Sequence, residues 1–157
     1  MSAINPEHFN KALLTLLDET FDNVQGFFLD GGTSLFETLA TITAAEASIP
    51  VGGKCATLAA QVKHVAFYLD VTAKSIHSAD YVKVDWGEIW RTVRGVTADE
   101  WKAIQAELRA SYQRLASLIE ETTVWPSDAE ISGALAVIAH TAYHLGEIRQ
   151  ALCTIRP

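Results

Sequence analysis

Cysteine is scarce in this chain. Cys55 and Cys153 are the only two, and no C-x-x-C occurs. Two thiols are too few for a disulfide framework, so free thiols in a reducing compartment are expected. Positive charge is also short: 12 Lys and Arg stand against 19 Asp and Glu, a net charge of −7. An acidic surface repels phosphate backbones, and no basic cluster reverses this locally, so nucleic-acid partners are not expected. No uninterrupted apolar run reaches the length of about 20 residues that a membrane-spanning helix needs, so no membrane partner is expected. The opening MSAINPEHFNKALL lacks a basic segment followed by an apolar one, so no secretory leader is expected. The expected compartment is the cytoplasm. Convincing strand alternation, internal repeats, low-complexity tracts and linkers are absent too, which predicts one all-helical domain over residues 1–157.

Helix punctuation is abundant. Asn5-Pro6 reads as an N-cap followed by proline at the first helical position. Phe9, Leu13, Leu16, Leu17, Phe21, Val24 and Phe28 then recur at helical spacing until Gly31-Gly32 breaks the pattern. Ser34-Leu-Phe-Glu37 is a capping box and predicts a shorter helix over SLFETLATIT. Pro50-Val-Gly-Gly53 marks a loop. A second long helix is predicted from about Lys54 to Ser78, with the inward stripe Leu58, Val62, Val65, Leu69 and Ile76, and with Lys63 in water. The segment 81–95 is a connection with one or two turns of helix at Trp86–Val93. Thr97-Ala-Asp-Glu100 opens a third long helix, which directs Trp101, Ile104, Leu108, Leu115, Leu118 and Ile119 inward and ends at Trp125-Pro126. Ser127-Asp-Ala-Glu130 opens the last, roughly 128–153. Four long helices predict a bundle.

The last helix holds an anomaly. From Ile131 to Gly146 no residue is charged, yet His140 and His144 stand four apart in that run. On a helical wheel Ile131, Leu135, Ile138, Leu145, Ile148 and Leu152 form a broad apolar stripe, with both histidines at its edge. Glu147 shares their face. Side chains at i and i+4 are neighbours, so two imidazoles at this spacing can converge on one ion. A third ligand must come from elsewhere. His8 lies in the first turn of the first helix, toward solvent, and His77 at the fraying end of the second. His64 sits mid-helix between Val62 and Val65. A buried histidine there is either ligated or hydrogen-bonded to a tyrosine such as Tyr68 or Tyr143. If His64, His140 and His144 converge, three neutral donors leave a coordination position open, the pattern of a reactive site. Zn²⁺ and Ni²⁺ suit imidazole. The zincin motif H-E-x-x-H is absent, because Thr141 follows His140. Glu147 could orient a ligand or act as a base.

These residues resemble the DinB-like (DinB/YfiT) superfamily. The resemblance rests on His64 in QVKHVAFYLD, on H-x-x-x-H at His140 and His144, and on the tryptophan-bearing connection DWGEIW. It implies a four-helix bundle of DinB/YfiT-like type, with an extra short helix between bundle helices 1 and 2. It implies a divalent ion on His64, His140 and His144, frequent homodimers, and low-molecular-weight thiol cosubstrates activated by the metal. The sequence departs from the common H-R-G-Q continuation, reading His144-Leu145-Gly146-Glu147.

Three readings follow. The first is a metal-dependent enzyme, a thiol-dependent transferase or a hydrolase. An acidic thiol would need a cationic rim, for which Arg149, Arg91 and Arg94 are candidates. The second is a non-catalytic, metal-binding, dimeric, stress-associated bundle. The third is a plain bundle with core histidines.

Overall fold

The computed structural model describes residues 5–76 and 83–156; His77 lies outside them. Among the described residues the regular structure is helical, with no strand. Helix α1 spans Pro6–Phe21. Asn5 caps it, its Oδ1 accepting from the Glu7 N–H at 2.9 Å, with proline next in line. The helix ends at Phe21, short of the predicted Phe28. Glu19 explains the early stop. Its carboxylate is fully buried and accepts the backbone N–H groups of Phe27, Phe28 and Leu29 at 3.0, 2.8 and 2.7 Å. A buried carboxylate requires such donors, and residues 22–30 fold back to supply them. Phe27 and Phe28 therefore stand in solvent.

The predicted short helix over SLFETLATIT is α2 (Leu35–Ala40), which stops early, and a further helix not predicted from the sequence follows it, α3 (Ala44–Ala47). Ser34 and Glu37 form the expected capping box. Thr43 and Glu46 form another, and this second box restarts the helix in a new direction. A tight turn at Val51–Gly53 follows, with Gly52 at φ +60°. Helix α4 spans Leu58–Ser75. It starts later than predicted because Thr57, not a residue near Lys54, caps it. Helix α5 (Glu88–Thr92) lies in the connection, α6 spans Ala98–Glu121, and α7 spans Asp128–Ile155. The last two open at the predicted boxes of Thr97 and Ser127.

Helix α4 packs chiefly on α6 and α7, and α1 packs on the same two. Leu17 and Phe21 of α1, Val62, Val65 and Leu69 of α4, Leu108, Leu115 and Ile119 of α6, and Val137 and Ile148 of α7 are all fully buried between them. Phe21 stacks on Tyr112 with ring centroids 4.4 Å apart. Trp101, at the start of α6, donates its Nε1–H to the Ile42 carbonyl at 2.8 Å. Asn10 closes the other side of the molecule: it donates to the carbonyls of Ile119 and Thr122 and accepts from Trp125 Nε1–H. Lys63, expected in water, is half-buried and pairs with Glu107 of α6.

The buried face of α7 differs from the predicted stripe. Leu135 is exposed, and Ile131 and Ile138 are half-buried. The face that meets the core is Ala134, Val137, Thr141, His144, Leu145, Ile148, Ala151 and Leu152. At 100° per residue, the helix is turned by about 60° from the wheel's apolar centre toward the histidines. Small residues on this face let α4 approach closely, which no wheel drawn on one helix can register.

Glu19→Ala should strand three backbone N–H groups and lower Tm by several degrees, with Glu19→Gln intermediate. Burial pushes the Glu19 carboxyl up, but the N–H groups of Phe28, Leu29 and Phe27 outweigh it and hold the group below its usual 4.5. A depressed carboxyl stabilises the fold above the unfolded value and loses that effect as the pH falls through the folded one. The Tm gap between wild type and Glu19→Ala should therefore narrow in acid; a gap that widens below pH 4 would contradict this role.

Candidate metal centre

The α4–α7 seam brings together three of the histidines. His64 comes from the middle of α4, and His140 and His144 from one face of α7. One ring nitrogen from each lies within 4.8 Å of the other two. His64 Nε2 and His140 Nε2 are 3.2 Å apart. A tetrahedral ion with Zn–N bonds of about 2.1 Å spaces its donors by about 3.4 Å, so this separation suits a shared ion. His64 and His144 are buried and His140 half-buried. His8 is exposed on α1 and stands apart from this group.

Burial sets the protonation state. It pushes the His64 imidazole down to about 4, aided by His144 and opposed by Glu147. It does the same to His140, aided by His144 and His64. His144 is also lowered by burial, against the opposing pull of Glu147. All three rings are thus neutral near pH 7, the form that ligates a metal.

The pairing of the remaining polar atoms is informative. Among the described residues, the buried side-chain polar atoms with no hydrogen-bond partner are Gln61 Oε1, Thr141 Oγ1 and the Nδ1 atoms of His64, His140 and His144. All five belong to the two helical turns that face each other across this seam. Gln61 lies one turn before His64, and Thr141 one turn before His144, so each shares its histidine's face. An unpaired buried polar group costs about 1–3 kcal/mol. Such a concentration is costly for packing alone and suits a place that could hold an ion or other ligand.

The core-histidine alternative lacks the tyrosine partners expected for it, although His64 Nε2 and His140 Nε2 stand within hydrogen-bond distance of each other. Tyr68 stacks its ring flat on His140, with centroids 3.7 Å apart and planes 10° apart, and leaves His64 Nδ1 unpaired. The Tyr143 phenol bonds Glu147 instead, and that carboxylate raises its pKa by favouring the protonated phenol. Glu147 Oε2 lies 2.9 Å from His144 Nδ1. The approach is close in distance but does not reach hydrogen-bond alignment. A carboxylate at this position favours the tautomer with the proton on Nδ1, leaving Nε2 for a metal.

Aromatic rings wall the group. Trp90 lies 4.5 Å from His64 and 6.3 Å from His144, centroid to centroid. Trp86 lies 6.3 Å from His64 and packs on Phe67 and Tyr68 at 5.6 and 5.9 Å. Tyr143 meets His144 edge-on at 5.1 Å. The connection delivers the tryptophans because Asp85 accepts the Gly87 N–H at 2.9 Å and pairs with Arg91. This fixes the turn that aims Trp86 and Trp90, four residues apart, at α4. Sequence reasoning noticed DWGEIW but assigned those rings no role at the site. Gln61 and Thr141 escaped notice too; their signal is a polar residue one turn from a histidine in an otherwise apolar helix.

Two of the arginines expected at the rim are engaged elsewhere. Arg91 pairs with Asp85, and Arg149 donates to Thr38 Oγ1 of α2 at 3.4 Å. Arg94 is exposed beyond α5. A cavity of about 790 Å³ lies between the start of α1 and the end of α6, lined by Asn10, Lys11 and Asp18, and none of the histidine-site residues borders it. No helix among the described residues is long and apolar enough to cross a membrane. Comparison of the chain with protein-family models, with curated proteins and with solved structures finds no match.

Thr141→Val removes an unpaired buried hydroxyl while keeping the shape of the side chain. In metal-stripped protein it should leave Tm unchanged or raise it. A loss of more than about 1 kcal/mol in denaturant titration would mean that the hydroxyl is bonded in solution.

Proposed function

We propose that this protein is a metalloenzyme of the DinB-like type, a four-helix bundle that holds one divalent ion, Zn²⁺ or Ni²⁺, on His64, His140 and His144. One observation carries the reading: three neutral ring nitrogens converge in a seam that also gathers the unpaired buried polar atoms. Lone pairs brought this close repel one another unless a proton or a cation lies between them. The likeness of QVKHVAFYLD, H-x-x-x-H and DWGEIW to the DinB-like pattern supports the same conclusion.

When bound, the ion supplies a Lewis acid that lowers the pKa of a thiol or a water at the open position. The chain's own residues do the rest. The three imidazoles hold the position from two helices, so its geometry is as rigid as the α4–α7 packing. Glu147 orients the His144 ring and stands ready to accept the proton released by an incoming thiol. Tyr143 restrains that carboxylate through its phenol. Trp86, Trp90 and Tyr68 exclude water from the ring faces. The reaction class is transfer to or from a low-molecular-weight thiol.

Protein purified without an affinity tag should carry close to one metal ion per chain by elemental mass spectrometry. His64→Ala, His140→Ala and His144→Ala should each lose it, and His8→Ala should retain it. Equal retention in all four variants would sink the assignment. Reloading stripped protein with Zn²⁺ should raise Tm by an amount that grows with free metal concentration. A thiol-transfer screen then tests catalysis; full metal occupancy with no turnover on any thiol would favour a metal-binding protein without catalysis.

A further inference from the structure

The site's walls also limit which thiol it accepts, an inference that rests on the metal reading above. Aromatic rings stand around the histidines, and the charged group in contact with them is the Glu147 carboxylate. Arg91 is paired with Asp85 and Lys63 with Glu107. The charged group set against the rings is thus an anion, and the whole chain, at −7, repels a second anionic group on a substrate.

Trp86 offers the complementary feature. It is 40% exposed, meets the His64 ring edge-on, and is braced by Phe67 and Tyr68. A partly exposed indole held next to the histidines can receive a cation on its face. We propose that the cosubstrate of this site is a small thiol that carries a cationic group, with its sulfur directed to the histidines and its cation to the exposed indole of Trp86.

Cobalt-loaded protein tests this, because Co²⁺ on three imidazoles has a visible spectrum that changes when sulfur binds. The probes are thiocholine, 2-mercaptoethanol and 3-mercaptopropionate, which present cationic, neutral and anionic groups beside a similar thiol. Thiocholine should bind tightest, at least about tenfold tighter than 3-mercaptopropionate, the scale of one partly desolvated cation–π contact. Trp86→Ala, at a half-exposed position, should erase most of that ratio when compared at full cobalt occupancy, and Trp86→Phe should keep part of it. Glu147→Gln should weaken thiocholine and strengthen 3-mercaptopropionate. A normal cobalt spectrum with 3-mercaptopropionate or mercaptoethanol binding as tightly as thiocholine overturns the cationic-thiol proposal and leaves the metal site standing. A preference that survives Trp86→Ala overturns the role of that ring. Failure of Co²⁺ to bind overturns the metal reading, and this proposal with it.

Discussion

Three imidazoles buried between two helices impose the constraint from which the rest of the molecule follows. A protein interior does not leave polar nitrogens unpaired at small cost. His64 and His144 nevertheless sit inside the α4–α7 contact, with His140 beside them. The helices must approach closely enough for ring nitrogens to come within 3.2 Å. Ala134, Thr141 and Ala151 on the buried face of α7 permit that approach. The long side chains of the core are displaced to the other contacts, where Phe21, Leu108, Leu115 and Ile119 fill the space toward α1 and α6. A seam of small and polar groups is a poor hydrophobic contact, so most of the apolar burial that holds the fold is supplied by the neighbouring helices.

Local chemistry does the positioning. Capping boxes at Ser34, Thr43, Thr97 and Ser127 fix where four helices begin, and with it the register at which each side chain meets the core. The Ser127 box sets the phase of α7, so His140 and His144 face α4 rather than solvent. The buried Glu19 carboxylate performs the reverse operation at the end of α1, gathering three backbone N–H groups and turning the chain away from a pattern that would have prolonged the helix. The Asp85 turn aims two indoles at the histidines in the same manner. Each device is a short-range hydrogen bond, and each decides a long-range placement.

The chemistry of the site follows from its neighbours more than from its ligands. Neutral histidines are made neutral by burial. The orientation of His144 comes from Glu147, and the restraint of Glu147 from Tyr143. The aromatic wall removes water from the ring faces, which strengthens the electrostatic interactions that remain. A site with one carboxylate, no free cation in contact with the rings and an exposed indole presents a definite electrostatic preference. That preference differs from the cationic rim an acidic thiol would require.

The sequence by itself determined the helical class, the starts of α1, α6 and α7, and the identity of the three histidines. Caps and periodicity act within a few residues, so a linear reading captures them. His140 and His144 were recognisable because four residues on one helix fix their proximity; for His64 the apolar stripe called for a partner without saying which, and the family resemblance placed it with the other two. The end of α1 and the division between α2 and α3 were only partly legible. A carboxylate that pairs with N–H groups eight to ten residues on has no periodic signature, and the Thr43 box lies at the end of the predicted short helix, where no long apolar pattern announces a new one. The inward face of α7, the unpaired Gln61 and Thr141, the aromatic wall and the engagement of Arg91 and Arg149 were decided by the tertiary structure alone. Each depends on which helix lies opposite, and that choice is made by packing between residues more than 70 positions apart, as His64 and His140 are.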